Sequence, residues 1–136
     1  MKLEVITPYG EVISEEVDEV YAPGVEGDFG VLPGHFPFMT AIKIGVLTYK
    51  KGNETYYAFV NRGYAEVLND RVLILVGSAE KAEEIDVERA MAAKARAEER
   101  LRKAAEGATD IDFARAQAAL ERATIRIQIA TKLIPK

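Results

Sequence analysis

The 136-residue chain contains no cysteine and a single histidine, His35, and both shortages exclude classes of function. Without cysteine there is no disulfide, no thiolate metal site and no cysteine nucleophile. One histidine removes every metal motif built on a histidine pair, so acid–base catalysis at neutral pH would depend on carboxylates with shifted pKa values. The sequence also lacks a glycine-rich phosphate-binding loop, which argues against nucleotide hydrolysis by this chain.

Long apolar runs are missing as well. None approaches the roughly 18 residues of a membrane-spanning helix, and the opening residues Met1–Glu4 alternate as in a strand rather than forming the apolar core of a signal peptide. With 49% apolar and 29% charged residues, the composition is typical of globular domains. We therefore expect the chain to meet a membrane only through partner proteins.

Charge is divided unevenly along the chain. Residues 1–80 contain 12 acidic and 6 basic side chains, whereas residues 81–136 contain 10 acidic and 12 basic ones. After Glu121 every charged side chain is a cation, and these are Arg122, Arg126, Lys132 and Lys136. The acidic remainder argues against nucleic acid as the partner, and an acidic protein surface fits this end better.

The first eighty residues show strand signals, with Gly, Asn and Asp between short apolar stretches. These stretches contain Leu3 and Val5, Val12, Val17–Val20, Gly45–Tyr49, Thr55–Val60, Ala65–Leu68 and Val72–Val76. Turns are expected at Pro8–Gly10, Lys50–Glu54 and Asn69–Asp70. The last stretch is apolar on both faces, which predicts a strand covered on both sides. The pattern predicts an antiparallel β-sandwich or flattened barrel over residues 1–80.

At residues 78–84 the composition changes to Ala, Glu, Lys and Arg, which predicts a helical domain over residues 81–136. Asp86 is the expected N-cap of a helix that ends near Ala105, with Gly107 at the C′ position. A second helix is expected over residues 111–135, after the capping sequence Thr109–Asp112. A connection of about four residues predicts an antiparallel two-helix hairpin, and hence an α+β fold of two domains.

Each predicted helix has one narrow apolar face, with steps of three and four residues. The positions are Val87, Ala90, Lys94, Ala97, Leu101 and Ala104 in the first helix, and Phe113, Ala116, Leu120, Ala123, Ile127, Ala130 and Ile134 in the second. Each alanine contributes roughly 2 kcal/mol less than a leucine because three buried carbons are missing. We call this apolar face the seam. Helices made of strong helix formers but joined by a weak seam indicate a hairpin that can switch between a closed and an open state. The alternative is an ordinary stable α-hairpin.

Two short segments are more specific than the composition. Gly27–Phe38 reads GDFGVLPGHFPF and precedes the strand Thr40–Lys43, while Ile85–Ala90 reads IDVERA and opens the first helix. Both segments resemble the epsilon subunit of F-type ATP synthases, and the resemblance extends from the opening strand to the last helix. It implies a non-catalytic central-stalk subunit that couples rotor movement to ATP synthesis and inhibits ATP hydrolysis through mobile C-terminal helices.

The resemblance also implies partners and a location. In relatives the Gly27–Phe38 loop lies against the c-subunit rotor ring and the gamma subunit, so Asp28 is the first candidate contact residue and His35 the second. An extended hairpin would bring Arg122, Arg126 and Lys132 to acidic segments of the alpha/beta catalytic head. The complex would hold the chain at the cytoplasmic face of a bacterial plasma membrane or the stromal face of a thylakoid. From residue types alone, a structural corner is the favoured interpretation of this loop.

A regulatory ATP site is the last implication of the resemblance, without a required metal. Carried over residue by residue, the site contains Glu80, Ile85, Asp86, Arg89, Ala90, Arg96, Arg122 and Arg126. Spacing supports only part of it: Arg89 and Arg96 share one helix face, and Arg122 and Arg126 share another. The alternative is that these arginines are simply solvated and that Asp86 only caps the helix.

Two other functions compete with this interpretation. A small nucleotide hydrolase would need catalytic carboxylates, and phosphate release by the purified chain would reveal it. A generic adaptor with a sandwich and a hairpin is the other alternative, and copurification with a gamma-type stalk subunit discriminates against it.

Overall fold

The computed structural model describes residues 1–133, and the chain divides into two compact units, Met1–Ala82 and Glu83–Lys136. The first unit contains ten strands: β1 Lys2–Thr7, β2 Gly10–Glu16, β3 Glu19–Ala22, β4 Phe29–Val31, β5 Phe38–Ile42, β6 Gly45–Lys51, β7 Glu54–Val60, β8 Gly63–Leu68, β9 Arg71–Val76 and β10 Ala79–Lys81. After a 3₁₀ turn at Ala82–Glu84 come helix α1, Val87–Ala105, and helix α2, Phe113–Gln128, which continues as a π-helical turn over Ile129–Leu133.

The strands form two five-stranded sheets, in the orders β2-β1-β9-β8-β5 and β10-β7-β6-β3-β4. All pairs are antiparallel except β1 with β9, where Val5 lies opposite Ile74 in parallel register. The sheets do not close into a barrel, and their inner faces share one apolar core that extends from Leu3 to Val76. The predicted α+β fold, a β-sandwich followed by a helical hairpin, is confirmed.

Strand boundaries differ from the prediction in three places. β6 continues to Lys51 and β7 begins at Glu54, so the predicted five-residue loop is only Gly52–Asn53, where Gly52 has φ +62°. β4 and β10 were not expected at all. Both are three-residue edge strands, which are too short to show an alternating pattern in the sequence.

The prediction that β9 is covered on both sides was wrong. Val72, Ile74 and Val76 face the core, but the alternate positions do not, and Leu75 is 44% exposed. Across the sheet Leu75 pairs with Tyr64, another exposed apolar side chain. A continuous apolar run therefore belongs here to a strand with one buried face, because surfaces tolerate some exposed apolar side chains.

Helix α1 follows its predicted pattern. The Asp86 side chain caps it by accepting a hydrogen bond from the backbone N–H of Arg89 at 3.0 Å, and Gly107 follows its end with φ +97°. Ala90 and Ala97 are buried in the hairpin, as the seam predicted. The first helix is thus positioned by a small-residue face rather than by large apolar side chains.

Helix α2 starts later than expected. Asp112 is its N-cap, accepting from the backbone N–H of Arg115 at 3.1 Å, so the connection covers residues 106–112 rather than about four residues. Phe113 is 60% exposed and does not belong to the seam, because it is the first residue of the helix, next to the connecting loop. Ala116 and Ala123 are buried as predicted.

The π-helical turn changes the end of the predicted seam. Ile129 is completely buried although the three- and four-residue steps pointed to its neighbour Ala130, which is only half-buried. The π-helical turn begins at Ile129, so the α-helical spacing on which the predicted seam rests does not continue through this segment. The remaining predicted positions, Ile134 and Pro135, lie outside the described residues.

No helix in residues 1–133 has the length and hydropathy needed to cross a bilayer.

Candidate functional sites

The glycine-rich loop of the sandwich is partly folded back as a strand. Within it, β4 pairs with β3, so that Ala22 lies opposite Phe29. Gly27 and Gly34 have positive φ angles, +133° and +84°. Gly30 does not have a positive φ angle. A Cβ at Gly30 would lie 2.9 Å from the Tyr21 ring, so glycine is needed there for close approach.

His35 is held in the loop by local contacts. Its ring Nδ1 lies 3.0 Å from the carbonyl oxygen of Phe36, and its ring centroid lies 5.1 Å from that of Phe38. Phe38 also contacts Phe29 edge-on at 5.3 Å. The half-buried histidine therefore helps to shape the loop, and its geometry favours a positioning role over direct contact with a partner.

Asp28 stands at the open side of the same loop. It is exposed and lines a shallow depression of about 320 Å³. The other lining residues are Glu26, Gly27, Phe29, Phe38, Met39 and Thr40. Within residues 1–133 the Asp28 carboxylate has no hydrogen bond or ion pair, so it is available to a basic or hydrogen-bond-donating partner.

Sequence reasoning missed the large exposed apolar side chains of the same loop region as Asp28. Four of them are exposed in or beside the loop, and Phe36 reaches 85% exposure; the others are Val25, Leu32 and Met39. We call these four the exposed loop residues. Several exposed apolar side chains in one ordered loop are typical of a surface that binds another protein. Leu32 and Phe36 each precede a proline of the loop, and large apolar residues at such positions could have indicated these exposed side chains.

The IDVERA segment divides into buried and exposed positions. Ile85 and Ala90 are buried, so both serve packing, while Asp86 and Arg89 are exposed. Asp86 is occupied as the N-cap of α1, as the alternative interpretation expected, although its second carboxylate oxygen is not used by the cap. Glu80 lies in β10 of the first unit, opposite Phe59 of β7.

Seven cations of the two helices form one surface, which we call the basic face. On α1 they recur at steps of seven, four and three residues: Arg89, Arg96, Arg100 and Lys103. On α2 the steps are seven and four: Arg115, Arg122 and Arg126. Because Arg100 and Lys103 line the same cavity as Arg115, both rows lie on the same side of the hairpin.

The basic face contains the four predicted arginines and three cations that sequence reasoning missed. Arg100, Lys103 and Arg115 continue the same periodic rows, and that periodicity was the signal that could have identified them. Arg122 and Arg126 are half-buried, whereas the other cations are more exposed. The side chain of Lys132 lies outside the described residues.

Arg102 points away from the basic face and is neutralised locally. It donates hydrogen bonds to Glu99 at 3.0 Å and to Glu106 at 2.7 Å. The hydrogen bond from Arg102 lowers the pKa of the Glu99 carboxyl, and those to Glu99 and Glu106 raise the pKa of Arg102. Arginines are therefore not all equivalent on this hairpin, and Arg102 is a natural control for the basic face.

Comparison with known proteins agrees with this architecture. Residues 1–82 match the family model described as ATP synthase, Delta/Epsilon chain, beta-sandwich domain, and residues 83–131 match the model of its long alpha-helix domain. The ATP synthase epsilon chain of Thermodesulfovibrio yellowstonii is 79% identical over 136 residues, which cover 100% of this chain and 97% of the relative. That of Geotalea daltonii is 56% identical over 103 residues, 76% of this chain and 75% of the relative.

Solved structures show the same fold at low sequence identity. A chain in the cryo-EM structure of the Euglena gracilis mitochondrial ATP synthase, covering OSCP, F1 and c-ring, has a TM-score of 0.75 at 23% identity, over 90% of this chain and 76% of that one. A chain in the central stalk and c-ring structure from Tetrahymena thermophila has a TM-score of 0.56 at 14% identity, over 98% and 95%. Together with the two family models and the 79% identical relative, the architecture shows that this chain belongs to the delta/epsilon chain family of ATP synthases, as an epsilon chain.

Proposed function

We propose that the chain is a non-catalytic subunit of the central stalk, which couples rotation of the gamma subunit and the c-subunit ring to ATP synthesis. Its two units divide the work: the sandwich attaches to the rotor, and the hairpin inhibits ATP hydrolysis when it extends into the alpha/beta catalytic head. The observation that carries the proposal is the hairpin itself, whose buried contacts are largely alanines. Attachment through the complex would place the chain at the inner face of a coupling membrane.

The loop end of the sandwich supports the attachment role. The exposed loop residues offer apolar area, and the unpaired Asp28 carboxylate shares the shallow depression with one of them, Met39. Apolar anchors beside one charged group are the usual composition of a specific protein interface. A generic adaptor would not require both this surface and the IDVERA opening of α1. Copurification with a gamma subunit distinguishes a central-stalk subunit from a generic adaptor.

The seam of the hairpin supports the switching role. Ala90 and Ala97 on α1 and Ala116 and Ala123 on α2 are its fully buried positions up to residue 128, so each contributes roughly 2 kcal/mol less than leucine. Both helices are capped by aspartates and made of strong helix formers, so each retains local stability without the other. Such helices can exchange their mutual contact for contact with neighbouring subunits.

The basic face supports ATP as the regulatory ligand. Guanidinium groups on both helices suit phosphate oxygens, and only the closed hairpin holds the two rows together. A ligand shifts a conformational equilibrium by its difference in affinity for the two states. ATP bound by Arg89, Arg96, Arg122 and Arg126, with Asp86 accepting from the adenine amino group, would therefore favour the closed, permissive state.

Isothermal titration of the isolated chain with ATP tests this ligand. We expect Arg89→Ala to weaken binding by about 10-fold or more, because a hydrogen bond to a charged group contributes roughly 1.5–3 kcal/mol. The matched control is Arg102→Ala, whose side chain is bound to Glu99 and Glu106 and lies off the basic face. Absence of binding heat in the unmodified chain, or equal losses in both variants, would remove ATP from the proposal.

A further inference from the structure

The loop end of the hairpin contains a cavity of about 410 Å³ between the two helices, which we call the tip cavity. Its lining residues come from the last turns of α1, the connection and the first turn of α2: Arg100, Lys103, Asp110, Ile111, Asp112 and Arg115. Three cations from two different helices thus face a single concave surface. None of them belongs to the set of residues that the family resemblance implied for ATP.

The three cations have no bound counter-charge. Within residues 1–133, the side chains of Arg100, Lys103 and Arg115 make no hydrogen bond and no ion pair. Glu99 and Glu106 bind Arg102, and Asp112 caps α2, while Asp110 lines the cavity without forming an ion pair within the described residues. The positive side chains of the tip cavity are therefore available to an external anion.

The helix dipoles do not explain this arrangement. In an antiparallel hairpin the negative C-terminal end of α1 and the positive N-terminal end of α2 lie side by side, so their fields largely oppose each other. The local field is then set by the side chains, three cationic and two carboxylate. Three like charges around one cavity repel one another, which makes the electrostatic energy of the empty cavity unfavourable. A multiply charged anion bound among them would make that energy favourable.

We propose that the tip cavity binds a polyphosphate group, either as free polyphosphate or as the phosphate tail of a nucleotide. The guanidinium forks of Arg100 and Arg115 match pairs of phosphate oxygens, and the Lys103 ammonium adds a compact charge. Along α1, Arg100 lies roughly 16 Å from Arg89 and roughly 6 Å from Arg96, at 1.5 Å per residue. The lining of the tip cavity shares no residue with the ATP site proposed above, so we treat it as a second anion site whose binding does not require the first.

Calorimetric titration of the full chain with sodium tripolyphosphate tests the proposal directly. The double variant Arg100→Gln with Lys103→Gln should weaken binding by at least 10-fold, while Arg102→Gln should change it by less than 2-fold. Circular dichroism verifies that both variants keep their helices. The proposal is overturned if the unmodified chain gives no binding heat, or if the control variant loses as much affinity as the double variant.

A change of the opposite sign gives an independent readout. Asp110→Asn removes one carboxylate from the lining without touching the N-cap at Asp112, so tripolyphosphate should bind several-fold more tightly. Unchanged or weaker binding would show that the anion sits elsewhere. This variant does not rely on a loss of function, so partial misfolding cannot imitate the expected result.

The Arg89→Ala background separates the tip cavity from the ATP site and identifies the source of the phosphate. If tripolyphosphate binds to this variant but ATP does not, the tip cavity takes free polyphosphate. If tripolyphosphate and ATP both bind, and the additional Arg100→Gln and Lys103→Gln changes weaken both, the tip cavity binds the phosphate groups of a nucleotide. If Arg89→Ala abolishes tripolyphosphate binding, there is one anion site only and the second is refuted, whatever the fate of ATP regulation.

Discussion

Ending the chain after Ala82 should raise ATP hydrolysis by the assembled complex several-fold, while ATP synthesis stays coupled to rotation. The deletion removes the whole hairpin and therefore the element that we propose enters the catalytic head. It leaves the sandwich intact, because the apolar core lies wholly between Leu3 and Val76. Hydrolysis is measured as phosphate release from reconstituted complexes, and coupling as proton pumping into vesicles.

The cut site matters for this experiment. A truncation after Ser78, where the composition begins to change, would also remove β10 and expose the edge of β7 to unwanted pairing. The variant that ends at Ala82 keeps β10 paired, so its melting curve and its incorporation into the complex serve as the control. Unchanged hydrolysis in fully occupied complexes would mean that the hairpin is not the inhibitory element.

The substitution Phe36→Asp should weaken attachment of the chain to the rotor by about 30-fold. An aromatic side chain at the centre of an interface commonly contributes about 2 kcal/mol, and a carboxylate at that place adds a desolvation cost. Phe36 is 85% exposed in the isolated chain, so the sandwich itself should keep its stability. Attachment is measured by titrating the labelled chain onto rotor complexes that lack it.

Phe113→Asp is the matched control for Phe36→Asp. Phe113 is also an exposed phenylalanine, but it begins α2 in the hairpin, where an acidic residue at a helix N-terminus is favourable. We expect this variant to attach with less than 2-fold loss of affinity. Equal losses from both substitutions would assign attachment to general surface hydrophobicity, and no loss from Phe36→Asp would move the rotor contact away from this loop.

The elements that the sequence predicted best are those in which apolar residues recur at regular spacing over many residues. Helix α1 has nineteen residues between an aspartate cap and a terminal glycine, so its bounds and its alanine face followed from spacing. β4 and β10 have three residues each, and such edge strands form because a partner is present rather than from their own pattern. Phe113 was misplaced because it is the first residue of α2, next to the connection, and Ile129 was misplaced because the regular α-helix ends before it, where the π-helical turn begins.

The candidate sites show the same limit. Spacing alone could place Arg89 with Arg96 on one helix and Arg122 with Arg126 on the other. Whether the two rows share a side of the hairpin depends on how the helices are rotated about their seams, and the position of Arg115 beside Arg100 answered that question. The resemblance pointed to the Gly27–Phe38 loop as a candidate for partner contact, but the sequence could not predict that Phe36 and Met39 remain exposed.

The central claim is that the hairpin must open to inhibit hydrolysis, and a reversible covalent lock tests it most directly. Because the chain contains no cysteine, Ala97→Cys on α1 and Ala116→Cys on α2 place one thiol on each helix at the buried seam, and the loss of free thiol on oxidation verifies that the disulfide has formed. Phosphate release by the reconstituted complex is compared after oxidation and after reduction. The account predicts fast hydrolysis when the disulfide is closed and restored inhibition when it is reduced; equal inhibition in both states would contradict it.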